Sequence, residues 1–173
     1  MIAINFPGAE KFFLDEVGTS YSRLECEAVT QELLELVPPD IESVLYIGAD
    51  ERLPDYLLKL PIKTLDINPD TKPDIVADIR DTRLPSASYE LIFLVNVLEH
   101  VFEFDKAIAE CYRLLESGGY LLVSVPWIYP YHGQDSMNDY WRMSREALKV
   151  LLKDFDEVNA TQRHWNSYAL ATK

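Results

Sequence analysis

Four short runs between Val44 and Val101 constrain the fold of this chain more than any other feature, because each is apolar or nearly so and each stops at a turn residue or an acid. Val44-Leu45-Tyr46-Ile47 breaks at Gly48-Ala49-Asp50, and Thr64-Leu65 ends in Asp66-Ile67-Asn68. Ala77-Asp78-Ile79 follows, and Leu91-Ile92-Phe93-Leu94-Val95 ends in Asn96. Short apolar runs rich in β-branched residues read as strands buried on both faces, which belong to parallel sheets covered by helices. In open sheets of that kind ligands bind beyond the carboxyl ends of the strands, where strand order reverses. Gly48, Asp66, Asp78 and Asn96 all fall at such ends. A glycine lets the backbone pass close to a ligand, and an acid roughly 20 residues later is placed to hydrogen-bond a ribose. Asp66 follows Gly48 by 18 positions, and Asp78 offers a second carboxylate to an exocyclic amine of a base.

The remaining chain supplies the covering elements. From Arg23, the positions Cys26, Val29, Leu33 and Leu36 recur at helical spacing until Pro38-Pro39, where a proline ring and a missing N–H stop a helix. Ile108, Cys111, Tyr112 and Leu115 mark a second helix, with Asp105 as its N-cap and Gly118 as its C-terminal stop. Ser144 caps a third, whose apolar stripe is Leu148, Leu151, Leu152 and Phe155. Strands are expected at about Ser43 to Ile47, Ile62 to Leu65, Ile75 to Ala77, Leu91 to Val95, Tyr120 to Val125, Glu157 to Arg163 and Ser167 to Thr172. That gives a mostly parallel α/β sheet of seven strands with an antiparallel C-terminal edge strand and helices on both faces. Residues 1–20 are expected to form an N-terminal cover carrying Phe6, Phe12 and Phe13, and the 173 residues to form one domain.

With those residues assigned, the chain resembles the class I S-adenosylmethionine-dependent methyltransferases, in their small type-11-like branch. Val44 to Asp50 stands at the place of the family's glycine-rich first motif and Leu65-Asp66-Ile67-Asn68 at that of its ribose-binding acid. Asp78-Ile79 matches the adenine-contacting pair. Tyr89 to Val101 looks like the fourth motif, and Leu114 to Pro126 like the fifth strand with the turn before it. The family carries two or three glycines after its first strand, whereas here Gly48 is followed by Ala49, Asp50, Glu51 and Arg52, so the first motif is degenerate. The resemblance implies a Rossmann-like fold and S-adenosylmethionine as cofactor, with Gly48, Asp50, Asp66, Ile67, Asp78, Ile79 and Asn96 as its contacts. Asp50 and Glu51 would meet the methionine amino group and Arg52 its carboxylate.

The 18-residue connection from Pro126 to Met143 has no helical or strand period, and connections beyond about 12–15 residues are mostly lids, binding loops or disorder. Its aromatic content argues against disorder. Trp127, Tyr129, Tyr131, Asp139, Tyr140 and Arg142 are the candidate acceptor-binding residues of a lid over the methyl-donating end; the alternative is a packed cap in which Tyr140-Trp141-Arg142 anchors the next helix. Methyl transfer needs a base only when the nucleophile must lose a proton, and a histidine with an ordinary pKa of about 6.5 suits an oxygen acceptor. His100, four residues after Asn96, and His132 in the lid are the candidates; His164 reads as structural, and Glu99 as facing solvent or capping a helix.

A net charge of -13 opposes a nucleic-acid partner, which would need a basic face to displace counterions. Cys26 and Cys111 are too few and too far apart for a disulfide framework or a metal site, so no metal is expected and the setting is the reducing cytoplasm. No apolar run approaches the roughly 18 residues that span a bilayer, so no membrane partner is expected. A nicotinamide dehydrogenase would need closer glycines leading into a helix, which Gly48 and Pro54 do not provide, and a hydrolase would need a Gly-x-Ser-x-Gly turn that is absent. The expected function is methyl transfer to a small-molecule acceptor, with an oxygen nucleophile among the options. The competing class is a methyltransferase-like binding or regulatory protein without turnover.

Overall fold

A computed structural model of the chain describes residues 21–48, 53–133 and 137–173. The expected N-terminal cover, and Asp50, Glu51 and Arg52, lie outside the described residues. Helix α1 (Tyr21–Leu34) precedes β1 (Val44–Ile47), β2 (Ile62–Asp66), β3 (Ile75–Val76) and β4 (Tyr89–Val95). Helix α2 (Phe104–Leu114) runs straight into β5 (Leu115–Pro126), and α3 (Arg145–Leu151), β6 (Glu157–Arg163) and β7 (Asn166–Thr172) close the chain. The strands form one sheet in the order β3-β2-β1-β4-β5-β7-β6. Pairings from β3 through β5 are parallel, with Val44 opposite both Ile62 and Leu91, and Leu91 opposite Tyr120. β7 runs antiparallel to both of its neighbours. The fold is the expected Rossmann-like α/β sheet with one refinement: the reversed strand, β7, lies inside the sheet, and β6 forms the edge.

Alternation along each strand sends side chains to two separate cores, as the period of two requires. Val44, Leu91, Phe93, Leu122, Tyr168 and Leu170 face α1, where Cys26, Val29 and Leu33 meet them. Leu45, Ile47, Ile92, Leu94, Leu121 and Val123 face the other way, onto Ala107, Ile108, Cys111 and Leu114 of α2, Leu148 of α3 and Leu152 just after it. Helices on both faces explain why β4 and β5 read as continuous apolar runs.

Three local expectations change. α1 stops two residues before the expected Leu36; the turn that follows is tightened by bonds from the Leu36 and Val37 amides to the Leu33 and Leu34 carbonyls, which puts Val37 inside and leaves Leu36 exposed. Asp105 is not the N-cap of α2 but sits in its first turn after Glu103, where a carboxylate still favours the positive end of the helix. Gly118 does not stop α2, which ends at Leu114. It lies within β5 at φ +80°, and a Cβ on Gly119 would meet the Glu116 and Glu90 carbonyls at 3.0 and 3.1 Å; the Ser117-Gly118-Gly119 stretch is thus where β5 re-registers against β4. Ser144 caps α3 as expected, its hydroxyl accepting from the Ala147 amide at 3.3 Å.

Candidate active site

Strand order reverses between β1 and β4, and the carboxyl ends of these strands open onto a cleft of about 990 Å³. Gly48 ends β1 at φ +76°, where its amide donates to the Leu65 carbonyl at 2.9 Å. Only glycine takes this conformation without strain. A Cβ here would also stand 2.3 Å from Val97 Cγ2, so two features of the neighbourhood exclude a side chain. Next to it, Asp66 ends β2, lines the cleft, and its Oδ1 accepts from the Asn68 amide at 2.7 Å. Ile67 and Asn68 also line the cleft.

Asp78 and Ile79 follow β3. Both lie on the cleft, but Asp78 is held by Arg80, whose Nη2 and Nε reach its oxygens at 2.6 and 3.0 Å. That hydrogen-bonded guanidinium holds the Asp78 carboxyl below the usual carboxylate range. Arg80 also bonds Glu103 at 2.9 Å, fixing one wall of the cleft to the start of α2.

Asn96 ends β4 in the left-handed region, φ +53°, a conformation asparagine tolerates better than most residues. Its amide donates to the Ser124 carbonyl at 3.1 Å, and its Oδ1 accepts from Ser124 Oγ at 3.1 Å and Asn166 Nδ2 at 2.6 Å. These bonds join the ends of β4, β5 and β7 beneath the cleft. Asn166 carries no signal in the sequence, because only the β5–β7 pairing brings it beside Asn96.

The segment after β5 divides into two parts. Tyr129, His132, Met137, Asn138 and Tyr140 line the cleft. Trp127, Tyr131, Asp139 and Arg142 are not part of its lining; Trp127 bonds the His164 carbonyl at 2.8 Å, and Tyr131 is exposed. The Asp139 side chain is buried and paired through both oxygens with Arg142, at 2.5 and 2.6 Å. Burial opposes ionisation of Asp139, but the Arg142 bonds, the His132 amide and nearby positive charge outweigh it and hold its carboxyl low. Arg142 further donates to the Tyr129, Pro130 and Trp141 carbonyls. Trp141 Nε1 donates to the Val101 carbonyl at 3.0 Å, and its ring meets Phe104 edge-on at 5.2 Å. Asp139, Trp141 and Arg142 therefore build the cap, while Tyr129, His132 and Tyr140 face the cleft.

Residues Leu98–His100 form one 3-10 turn after β4. Glu99, expected to face solvent or cap a helix, is instead fully buried, because the turn rolls it beneath the cap and its carbonyl accepts from the Tyr140 amide at 2.7 Å. Its Oε1 lies 3.9 Å from His100 Nε2 and 4.0 Å from His132 Nε2. Burial pushes its carboxyl up to about 8 and lowers the pKa of His100. The structure thus brings together the two histidines, 32 positions apart, with the glutamate between them. The missed signal was adjacency: a carboxylate and an imidazole side by side one turn beyond a strand end, with another imidazole in the loop after the next strand. His164 lies in the β6–β7 turn, paired with Glu25.

Among known proteins, a family model described as a methyltransferase domain matches residues 51–123. A probable S-adenosylmethionine-dependent methyltransferase of Mycolicibacterium smegmatis is 35% identical over 49 residues; that stretch is 28% of this chain and 19% of the relative, so most of the relative's length has no counterpart in the match. A SAM-dependent methyltransferase from Archaeoglobus fulgidus superposes with a TM-score of 0.63 at 14% identity, over 89% of this chain and 100% of that one. The Burkholderia thailandensis 1,6-didemethyltoxoflavin-N1-methyltransferase, solved with bound 1,6-didemethyltoxoflavin and S-adenosylhomocysteine, gives 0.64 at 14% identity over 86% and 77%. The matched residues run from just after β1 into β5, the part of the sheet whose strand ends form the cleft, so over this stretch the chain is similar to methyltransferase domains, and its strand order is that of the superposed methyltransferase structures.

Proposed function

We propose that the cleft binds S-adenosylmethionine across the ends of β1, β2 and β4 and that the chain transfers its methyl group to an oxygen of a small-molecule acceptor held under the cap. The observation that carries this reading is the Gly48 turn, with φ +76° and no room for a side chain, next to the Asp66 carboxylate in one continuous cleft. A volume of about 990 Å³ lies at the upper end of the ~300–1,000 Å³ of small-molecule sites, room for a nucleoside cofactor and a second small molecule. In this reading Asp66 accepts the ribose hydroxyls, the Asp78-Ile79 segment borders the adenine, and Asn96 sits below the sulfonium. The sulfonium is itself reactive, so this chain's contribution is alignment at near-attack distance and exclusion of water by the cap. Tyr129 and Tyr140 border the acceptor, and His100 or His132 receives its proton.

Asp66→Ala tests the assignment. Removing a charged acceptor from the ribose hydroxyls should weaken S-adenosylhomocysteine binding by about 1–3 kcal/mol in calorimetry. An affinity equal to that of the parent would show that Asp66 does not hold the ribose.

A further inference from the structure

The cap end of the cleft holds a cluster that alignment alone leaves unused. Glu99 Oε1, His100 Nε2 and His132 Nε2 all lie within 4.8 Å of one another. The two rings meet edge-on with centroids 5.0 Å apart. The Glu99 side chain is only 1% exposed, and neither of its oxygens has a hydrogen-bond partner among the described residues. A buried carboxylate without a donor is unfavourable unless something positive faces it.

The outer ring nitrogens show which way the inner ones point. His100 Nδ1 stands 2.6 Å from the Asn138 carbonyl, and His132 Nδ1 stands 3.2 Å from both the Pro130 carbonyl and Asp139 Oδ2. A carbonyl has no proton to give, so each Nδ1 carries the hydrogen and donates. In the neutral ring each Nε2 then presents a lone pair. Three electron-pair donors from two separate segments therefore converge, and the bonds that orient the imidazoles are of the kind that fixes histidine ligands around a metal. Asp139, one of those partners, is itself held by Arg142.

We propose that Glu99, His100 and His132 bind one divalent transition-metal cation of the zinc or cobalt type, with its remaining coordination positions open to the cleft. Two imidazoles and one carboxylate suit such borderline ions, whereas magnesium and calcium favour all-oxygen shells. Three protein ligands with an open position are the pattern of reactive rather than structural sites. Ligand atoms ~2.1 Å from an ion at tetrahedral angles stand ~3.4 Å apart, so the separations of 3.9 and 4.0 Å from Glu99 close by small side-chain rotations. Resting on the cofactor reading above, the cation takes the acceptor hydroxyl oxygen as a further ligand and acidifies it. With both imidazoles committed to the cation, the hydroxyl proton leaves to water in place of His100 or His132, an oxygen lone pair forms the bond to the methyl carbon, and the carbon–sulfur bonding pair stays on sulfur to give the neutral thioether.

The test is titration of the chelator-treated full chain with cobalt(II), read by ligand-field absorption in the visible, followed by competition with zinc. Each sample is also titrated with S-adenosylhomocysteine. The expected result is one cobalt per chain, displaced by zinc, and binding weakened at least about tenfold in Glu99→Gln and in His132→Ala. His132 is partly exposed, so His132→Ala retains the fold where Glu99→Gln fails to, and retained S-adenosylhomocysteine binding by that variant shows the cofactor half intact. Absence of a cobalt signal in a folded parent that binds S-adenosylhomocysteine would overturn the metal site and leave the cofactor reading standing, as would cobalt binding unchanged in both variants. Cobalt binding without S-adenosylhomocysteine binding would uphold the metal site and remove the cofactor reading.

Discussion

Gly48→Ala separates the two demands that the structure makes at the end of β1. At φ +76° an L-residue costs about 1–2 kcal/mol in backbone strain alone. The added methyl would also stand 2.3 Å from Val97 Cγ2, far inside the ~3.5–4.0 Å of normal carbon contact, and a valine in a packed wall has little χ1 freedom with which to yield. Relief of such a clash typically costs about 1–3 kcal/mol, so the substitution should destabilise by ~2–5 kcal/mol in urea titration. Adding Val97→Ala removes the clash but not the strain, so the double-mutant cycle should show about 1–3 kcal/mol of favourable coupling. The same variants, titrated with S-adenosylhomocysteine under folding conditions, should bind more weakly than the parent, because the methyl projects toward the cleft wall. A Gly48→Ala protein within about 0.5 kcal/mol of the parent in stability, the scatter of ordinary surface changes, would refute the assignment of this turn.

Three further outcomes are expected. Glu110 is held to about 2, chiefly by Arg113 with help from Thr82; a carboxyl depressed on folding stabilises fully above its unfolded pKa, near 4.5, and loses that contribution as pH falls toward 2. Glu110→Gln should therefore destabilise by about 2 kcal/mol at pH 6, and by less than half as much at pH 3 in urea titrations; an equal effect at both would contradict the sign. Arg142→Ala leaves the Asp139 carboxylate buried without its partner and should lower stability by about 2–4 kcal/mol. Arg142→Lys should not restore it, since one ammonium cannot reproduce the bonds to Asp139, Tyr129 and Pro130; a thermal midpoint equal to that of the parent for either would show that the cap is not held this way. Burial raises the pKa of both Cys26 and Cys111, so a thiol-specific disulfide reagent should titrate neither in the native chain and both in urea, and rapid native reaction of either would contradict the packing.

How much was legible beforehand follows from whether a feature is local. The seven strands, the Gly48 turn and the acids at strand ends follow from apolar runs and the residues that break them, and the sheet places them as expected. Local signals erred where chain geometry intervened: α2 passes into β5 without the glycine stop, and the tightened turn after α1 exchanges Leu36 for Val37. In the long connection, aromatic composition pointed to an acceptor-binding lid, with a packed cap as the alternative, but did not divide its residues, because Arg142 and Asp139 have the chemistry of ligand-binding side chains and spend it on each other. Glu99 was the largest miss. A glutamate beside a histidine reads as surface in sequence, and only the 3-10 turn beneath the cap buries it and closes the distance to His132. Asn166 was likewise invisible, since its bond to Asn96 depends on the position of β7 within the sheet.

The most direct test of the account as a whole is isothermal titration of the purified chain with S-adenosylmethionine and S-adenosylhomocysteine, with NAD as the control. Micromolar, one-to-one binding of the first two and none of NAD is the predicted result. Absence of binding to all three by folded protein would mean that the turn after β1 is closed to the cofactor, and the proposed methyl transfer would fall with it.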